Sequence, residues 1–226
     1  MPNSKSPRAS YHHGDLANAL TVAATELART GGPEAVVLRE AARKVGVSAT
    51  AAYRHFEGRG ELIHAVKELA LTELAARMQD ELATSEPVPD PPAEALRRLR
   101  ALGTGYIRFA LAEPGLFRTA FCRADTPGME SEPVDMLGTR SFQMLVETLD
   151  TLVGCGWIPP DRRPYLELAA WSTVHGMADL LLDGPLRLCP PDQQEAAIQR
   201  ALDMVADGIA ALAAGHAGPA KVGPAP

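Results

Sequence analysis

Apolar residues recur along most of the chain at the three- and four-residue spacing of amphipathic helices, and no segment shows a convincing strand pattern. Clusters of glycine and proline separate these periodic segments. The pattern therefore predicts an all-α protein. Its nine helices are expected near residues 14–29, 38–45, 49–56, 60–84, 93–112, 116–122, 134–153, 161–182 and 192–214.

Two of the predicted helices are short and follow each other closely. Gly46 supplies a turn between residues 38–45 and 49–56, and Ser48 is placed to cap the second helix. Segments this short are not stable alone, so they must pack on neighbours. Two short helices joined by a Gly-containing turn are typical of a helix-turn-helix, whose second helix lies in the major groove of DNA. The N-terminal region is therefore predicted to be a three-helix, homeodomain-like head that binds DNA.

Polar and proline-rich segments divide the chain into four predicted parts. Residues 1–10 are expected to form a disordered basic arm, and the Gly/Ala/Pro-rich residues 215–226 a disordered tail. Between them we expect a DNA-binding domain over residues 11–60 and a larger helical domain over residues 61–214. Proline residues within 85–92 predict a linker that no helix crosses.

The distribution of charge supports a nucleic-acid partner for one end of the chain. The whole chain has a net charge of −6, but residues 1–60 contain eight Lys/Arg against five Asp/Glu. The rest contains 14 basic and 23 acidic residues. A basic module attached to an acidic body is expected when only one end meets phosphate.

Composition and motifs argue against several other classes of protein. Cys122, Cys155 and Cys189 are isolated, which indicates free thiols in a reducing cytoplasm. No segment is apolar enough to cross a membrane or to serve as a signal peptide. The chain has no phosphate-binding glycine loop, no Gly-x-Ser-x-Gly and no His-Glu-x-x-His. We therefore predict a cytoplasmic protein that is not an enzyme, with no catalytic residue, no metal and no cofactor.

Several motifs match a known family of regulators. The segments Tyr11–Leu16, Leu38–Ala42, Gly46–Ser48 and Tyr53–Phe56 resemble the DNA-binding domain of the TetR family of transcriptional regulators, including its spacing. A second segment, Trp171–Met177, resembles the Trp/His/Gly-marked C-terminal ligand-binding domain of one branch of that family. The turn at residues 113–117 is similar to that branch as well.

The resemblance implies a homodimer whose two heads bind successive major grooves of a palindromic operator in double-stranded DNA. It implies that residues 61–214 bind an effector and form the dimer, and that a small organic effector releases a repressor from DNA. An alternative is a helix-turn-helix regulator controlled by a partner protein, or by cysteine redox chemistry or a metal.

The resemblance also assigns roles in the head. It places Tyr53, His55 and Arg59 against DNA phosphates, and Arg59 stands where the family usually has lysine. Val37 stands where the family usually has a Ser or Thr cap, so no contact is expected from it. Tyr53 could instead belong to the core, as Phe56 is expected to do.

The remaining contacts follow from the residue types around the turn. Ser48 can offer its hydroxyl or the helix amides to phosphate. Base reading falls on Ala49, Thr50 and Ala51, which are small, so much of the specificity is expected from DNA shape and the N-terminal arm. Arg39 and Arg54 could each add a base or phosphate contact, or lie on a solvated face.

Two sets of residues are candidates in the larger domain. The resemblance implies that the last two helices form the dimer interface, and residues 198–212 carry an apolar seam suited to a partner helix. The expected interface residues are Leu166, Ala170, Met177, Leu181, Ile198, Leu202, Val205, Ile209 and Leu212. An apolar or amphipathic effector would be lined by Met78, Tyr106, Phe109, Phe117, Phe121, Met144, Trp171, His175 and Met177.

Each of these pocket candidates could instead be ordinary core. His175 is the exception worth testing, because a histidine in an apolar helix must find a polar partner. That partner could be a neighbouring helix or the effector itself.

Overall fold

The computed structural model describes residues 13–84, 86–122 and 135–214. Across these ranges the chain is all-α without a strand, as predicted. The predicted basic arm and disordered tail lie outside the described residues. The nine helices are α1 (His13–Gly31), α2 (Leu38–Val45), α3 (Ala49–Ala52), α4 (Arg59–Leu82), α5 (Pro91–Ala112), α6 (Pro114–Phe121), α7 (Arg140–Gly154), α8 (Leu166–Leu182) and α9 (Pro191–Ala214).

Two helices begin later than the pattern predicts. α7 begins at Arg140 instead of residue 134, after a 3₁₀ turn over Met136–Gly138. α8 begins at Leu166 instead of residue 161, because the preceding chain cannot continue as a helix. Pro164 has no amide hydrogen for a helical hydrogen bond, and Tyr165 has a left-handed backbone with φ 67°. Apolar periodicity did not reveal this interruption.

α5 begins two residues earlier than predicted, at the end of the predicted linker. The Asp90 side chain accepts a hydrogen bond of 3.0 Å from the amide of Ala93 and so caps the helix. Pro91 fills the first position, where the missing N–H would have no partner within the helix. Glu94 accepts from the amide of Val88 and from Arg97. The hydrogen bond from Arg97 holds the pKa of Glu94 at about 2.

The chain forms two compact units. The first comprises the residues up to Ala70 and the segment that starts at Gly115, so it holds α1 to α3, the first half of α4 and nearly all of α6. The second comprises Leu71–Pro114 and the residues from Asp135 onward. The division lies at the middle of α4, later than residue 60 of the predicted domain ranges, and it groups nearly all of α6 with the head.

In the first unit α1 packs on α2 and α3. Leu20 of α1 and Ala41 of α2 are fully buried. Phe56, four residues after the end of α3, is 6% exposed. α6 is held at its C-terminal end by α4, because the buried ammonium of Lys67 donates a 2.9 Å hydrogen bond to the carbonyl of Cys122. A cation at this position also favours the negative end of the α6 dipole.

In the second unit α5 contacts α7, α8 and α9, and α8 packs on α9. A core cluster joins α5 to the other helices through Leu99, Leu149, Leu152 and Ala170. An ion pair adds to this packing: Arg100 of α5 lies 3.1 Å from the carboxylate of Asp203 on α9.

Candidate functional site

The turn between α2 and α3 depends on a left-handed glycine. Gly46 ends α2 with φ 80° and ψ 28°, a conformation that costs other residues energy because of their Cβ atom. The amide of Val47 then donates to the carbonyl of Ala42 at 3.0 Å, which closes the helix end. This turn sets the direction in which α3 leaves α2.

α3 is a short helix with a side-chain cap. The hydroxyl oxygen of Ser48 accepts a hydrogen bond of 3.1 Å from the amide of Ala51, as the cap prediction requires. The predicted helix 49–56 is too long, because the helix ends at Ala52 and Tyr53 is its C-terminal cap. The chain continues as tight turns, in which the amide of Phe56 still donates to Ala52 at 3.1 Å.

The residues predicted to contact DNA lie on and beside this helix. Arg39, Ser48, Thr50, Tyr53 and Arg54 are exposed, whereas Ala49, Ala51, His55 and Arg59 are half-buried. Tyr53 is 49% exposed and Phe56 is 6% exposed. Tyr53 is therefore a surface residue and not part of the core, and Phe56 packs inside the head.

Arg59 is the predicted DNA-contacting residue whose geometry differs most from its expected role. Its Nε donates a 2.9 Å hydrogen bond to the carbonyl of Val36, and its Nη2 donates a 2.7 Å bond to the carbonyl of Pro33. Both acceptors lie in the connection between α1 and α2. The guanidinium is thus engaged inside the head.

The starts of α2 and α4 show what the sequence indicated and what it missed. Val37 precedes α2 and provides no side-chain cap, as predicted. At the start of α4, Glu61 accepts a 2.6 Å hydrogen bond from the amide of Glu57, a local contact that the sequence analysis did not predict. Lys44, which the sequence analysis did not single out, is an exposed cation in the last turn of α2, two residues before Gly46.

In the second unit a polar cluster connects α5 and α8. The Tyr106 hydroxyl lies 2.7 Å from Nδ1 of His175, and Nε1 of Trp171 donates to the same hydroxyl at 3.3 Å. Because Trp171 can only donate, Tyr106 satisfies both neighbours best by donating its own proton to Nδ1. The neutral imidazole then carries its proton on Nε2, which lies 4.0 Å from the carboxylate of Asp179. His175 thus has the polar partner that the sequence required.

The other predicted pocket residues divide between the two units. Met78, Phe109 and Met144 are buried in the second unit, where Met177 is half-buried beside His175 on α8. Phe117 and Phe121 belong to the first unit and pack against each other, with ring centroids 4.8 Å apart.

Burial controls the ionisation of the cluster. Desolvation lowers the pKa of His175, with Asp179 acting weakly in the opposite direction. Desolvation also raises the pKa of Tyr106, so its hydroxyl keeps its proton. Both groups are therefore neutral near pH 7.

Two matches identify the family of this chain. Residues 20–66 match the family model described as "Bacterial regulatory proteins, tetR family". Residues 99–205 match the model described as "Tetracyclin repressor-like, C-terminal domain". The chain belongs to the TetR family. It is a DNA-binding transcription regulator and not an enzyme, as predicted, whereas the narrower Trp/His/Gly-marked branch stays a prediction.

Solved structures share this TetR fold. A protein of unknown function from Rhodococcus sp. RHA1 is 28% identical, with a TM-score of 0.68 over 90% of this chain and 100% of that one. A TetR family transcription regulator from Marinobacter aquaeolei VT8 is 18% identical, with a TM-score of 0.56 over 83% and 94%. A TetR variant from Acinetobacter baumannii AYE, in complex with minocycline, is 19% identical, with a TM-score of 0.56 over 87% and 97%. No curated protein sequence matches significantly.

The described ranges of the TetR-family chain contain neither a cluster of metal ligands nor a membrane-spanning helix. Within the described ranges no group of three or more His, Cys, Asp or Glu side chains is arranged to hold a metal ion. None of the helices in the same ranges is long and apolar enough to span a membrane.

The predicted dimer seam of this TetR-family chain is largely covered by the chain itself, and its role in an interface stays a prediction. Five of its residues are buried within the protomer at 6% exposure or less, because α8 and α9 turn this side toward their own unit. Leu166, Met177, Val205 and Leu212 are half-buried. Apolar periodicity showed which side of each helix is buried, but not whether the same chain or a second copy covers that side. The five buried residues are Ala170, Leu181, Ile198, Leu202 and Ile209.

The pKa of His175 leads to a testable pH dependence. An exposed histidine in the unfolded chain has a pKa near 6.5, above that of buried His175, so the unfolded state binds the proton first as the pH falls. We expect the free energy of unfolding to decrease as the pH falls below about 6.5. In His175→Gln this decrease should be smaller, because the side chain whose pKa differs between the two states is gone. Melting temperatures at pH 7.5 and 5.5 test this. The other histidines are common to both proteins, so identical pH dependence in the two would contradict the expectation.

Proposed function

We propose that this regulator is a homodimeric repressor that binds a palindromic operator in the cytoplasm and leaves it when a small organic effector binds. The observation that carries the proposal is the exposed surface of the helix-turn-helix. It contains the capped α3, the exposed Arg39 of α2, and the exposed Tyr53 and Arg54 that follow α3 in the chain. Such a surface suits the backbone and base edges of a major groove.

Within this surface we assign phosphate contacts to Tyr53, His55 and the N-terminal end of α3 at Ser48. Phosphate contacts position a protein on DNA, whereas base contacts specify the sequence. Thr50 is the one residue of α3 with a side chain that can both hydrogen-bond a base and touch a thymine methyl group. The specificity of α3 is therefore limited, and DNA shape and the N-terminal arm would supply the rest.

The assignment of Tyr53 leads to a mutational prediction. Tyr53→Phe removes one hydroxyl donor to a charged phosphate from an exposed position, so we expect operator affinity to fall about tenfold without a change in melting temperature. The loss should be equal for all operator sequences, because the contact is to the backbone. Fluorescence anisotropy measures this loss, with an operator obtained by the genomic selection described below and with base-substituted versions of that operator. A loss confined to particular base pairs would assign Tyr53 to base reading instead.

For the dimer we propose the outward sides of α8 and α9, which the protomer leaves uncovered. Leu168 and Leu180 of α8 are exposed, and Met204 of α9 is 67% exposed. Gly176 lies between Leu168 and Leu180 on this side, and Gly208 lies one turn after Met204; neither has a neighbouring atom within 4 Å of an added Cβ. Small residues beside exposed apolar ones allow two helices to approach closely. We name these five residues the outward face.

For the effector we propose the region of the second unit around Tyr106, Trp171 and His175. Phe142 packs against Trp171 with ring centroids 6.0 Å apart, and Phe109 and Met144 of the same unit are buried. An apolar or amphipathic ligand with one hydrogen-bonding group would suit them. Such a ligand could change the affinity for DNA only if it binds the DNA-bound and the released conformations of the protein with different affinities.

Selection of bound fragments from a genomic DNA library by the full chain tests the proposal. We expect enrichment of a sequence with two-fold symmetry, and footprinting should show two protected half-sites one helical turn or a multiple apart. A thermal-shift screen of small organic molecules should then find a compound that stabilises the protein and reduces operator affinity. Enrichment without symmetry would contradict the dimeric mode, and stabilising compounds without effect on DNA would contradict effector release.

A further inference from the structure

Arg59 is the first residue of α4 and is bonded to a part of the head that is distant in sequence. Its two hydrogen bonds, to the carbonyls of Val36 and Pro33, join positions 23 and 26 residues apart. Pro33 and Val36 are both buried, and the Arg59 side chain is half-buried. The bond lengths of 2.9 and 2.7 Å are those of charge-assisted hydrogen bonds.

These bonds act on the segment that sets the position of α2. Pro33–Ala35 form a 3₁₀ turn, Val36 is extended, and α2 begins at Leu38 without a side-chain cap. Backbone hydrogen bonds of 3.2 Å hold the turn itself, but no side chain caps either the turn or the start of α2. Arg59 adds two hydrogen bonds from the start of α4. These bonds join the connection between α1 and α2 to α4, and the helix-turn-helix lies between those two segments in the chain.

The geometry points to Arg59 as a positioning residue of the DNA-binding head: we propose that it holds the start of α2 at the start of α4 and thereby orients α3, without contacting phosphate. Its Nε and Nη2 donate to two buried carbonyls, so the guanidinium could turn these donors to a phosphate only by giving up those bonds. A lysine could not replace these bonds, because its ammonium is a point donor without the planar fork of a guanidinium. The inference rests on the proposed DNA-binding surface.

Two variants distinguish the positioning role from a phosphate contact. Arg59→Lys keeps the positive charge and removes the fork, whereas Arg59→Gln removes the charge. A phosphate contact predicts that lysine retains most of the affinity, and that glutamine makes the log–log salt dependence shallower by about one unit. The positioning role predicts that both variants lose affinity, by tenfold or more, with an unchanged salt slope.

The experiment measures operator affinity at four salt concentrations, at a temperature where every variant is more than about 99% folded. Hydrogen exchange of the amides at the start of α2, measured without DNA, is the second readout. We expect faster exchange there in both variants and unchanged exchange in α9. Tyr53→Phe is the matched control, because it removes a surface donor and should leave the exchange of α2 unchanged.

Unchanged exchange at α2, or full affinity of Arg59→Lys, would overturn the proposal. If either variant fails to fold, the other still decides, because the exchange measurement needs no DNA. If the wild-type chain selects no specific DNA, the proposed function fails, and the exchange result still tests whether Arg59 positions α2.

Discussion

Gly115→Ala is expected to lower the stability of the first unit by about 3 kcal/mol, the upper part of the usual range for overpacking. Gly115 lies in the first turn of α6, directly against the last turn of α1. A Cβ added there would lie 2.5 Å from the carbonyl oxygen of Arg29 and closer still to that of Ala28. These are backbone atoms of a helix end, so no side-chain rotation can relieve the contact. α6 or the end of α1 would have to move.

Thermal unfolding of the full chain measures this effect, with an expected decrease of about 6–12 °C in melting temperature for a protein of this size. Gly154→Ala is the matched control, because Gly154 ends α7 and has no atom within 4 Å of an added Cβ. Alanine favours a helix over glycine, so the control should be neutral or slightly more stable. Equal melting temperatures for Gly115→Ala and the wild type would show that α1 and α6 are not in this close contact.

The sequence predicted those features that depend on neighbouring residues. The bounds of α2, the turn at Gly46 and the Ser48 cap follow from hydrogen bonds between residues at most five apart, so the chain shows both partners together. The same local signals made the family motif recognisable. The start of α8 was missed because the left-handed backbone of Tyr165 has no signature in residue type.

Long-range contacts could not be predicted in this way. Arg59 was assigned to phosphate because a cation beside a helix-turn-helix suits DNA, and nothing in the local sequence reveals carbonyl acceptors more than 20 residues away. Gly115 gave no signal for the same reason, since Ala28 and Arg29 lie far earlier in the chain. His175 is an intermediate case: its need for a partner was predictable, but the identity of Tyr106 was not.

The seam of α9 shows the limit of periodicity most clearly. Ile198, Leu202 and Ile209 do form one apolar side, as the spacing indicated, and this side is covered by the protomer itself. In the proposed dimer, a partner helix would therefore use the other side. There the exposed Met204 has polar residues such as Asp207 near it in the helix. A sparse apolar face of this kind gives little hydrophobic periodicity.

Asp substitutions on the outward face are expected to convert the proposed dimer into monomers and to reduce operator affinity by at least about 100-fold. Leu180→Asp and Met204→Asp each place a charge where a second copy would bury an apolar side chain. In a dimer, binding of one head to its half-site raises the effective concentration of the second head at the other half-site. A monomer has only one head, so it loses this gain. Both side chains are exposed in the protomer, so the substitutions should leave its fold intact.

Leu137→Asp is the matched control, because Leu137 is 59% exposed and lies in a turn that contacts α7. It should stay dimeric and bind the operator like the wild type. Sedimentation velocity gives the oligomeric state, and anisotropy with the full palindrome and with a single half-site gives the affinities. The two outward-face variants should bind the full site no more tightly than the half-site. If both variants remain dimeric, the protomers meet elsewhere, because α8 and α9 could not bury two carboxylates at their contact without a partner for the charge.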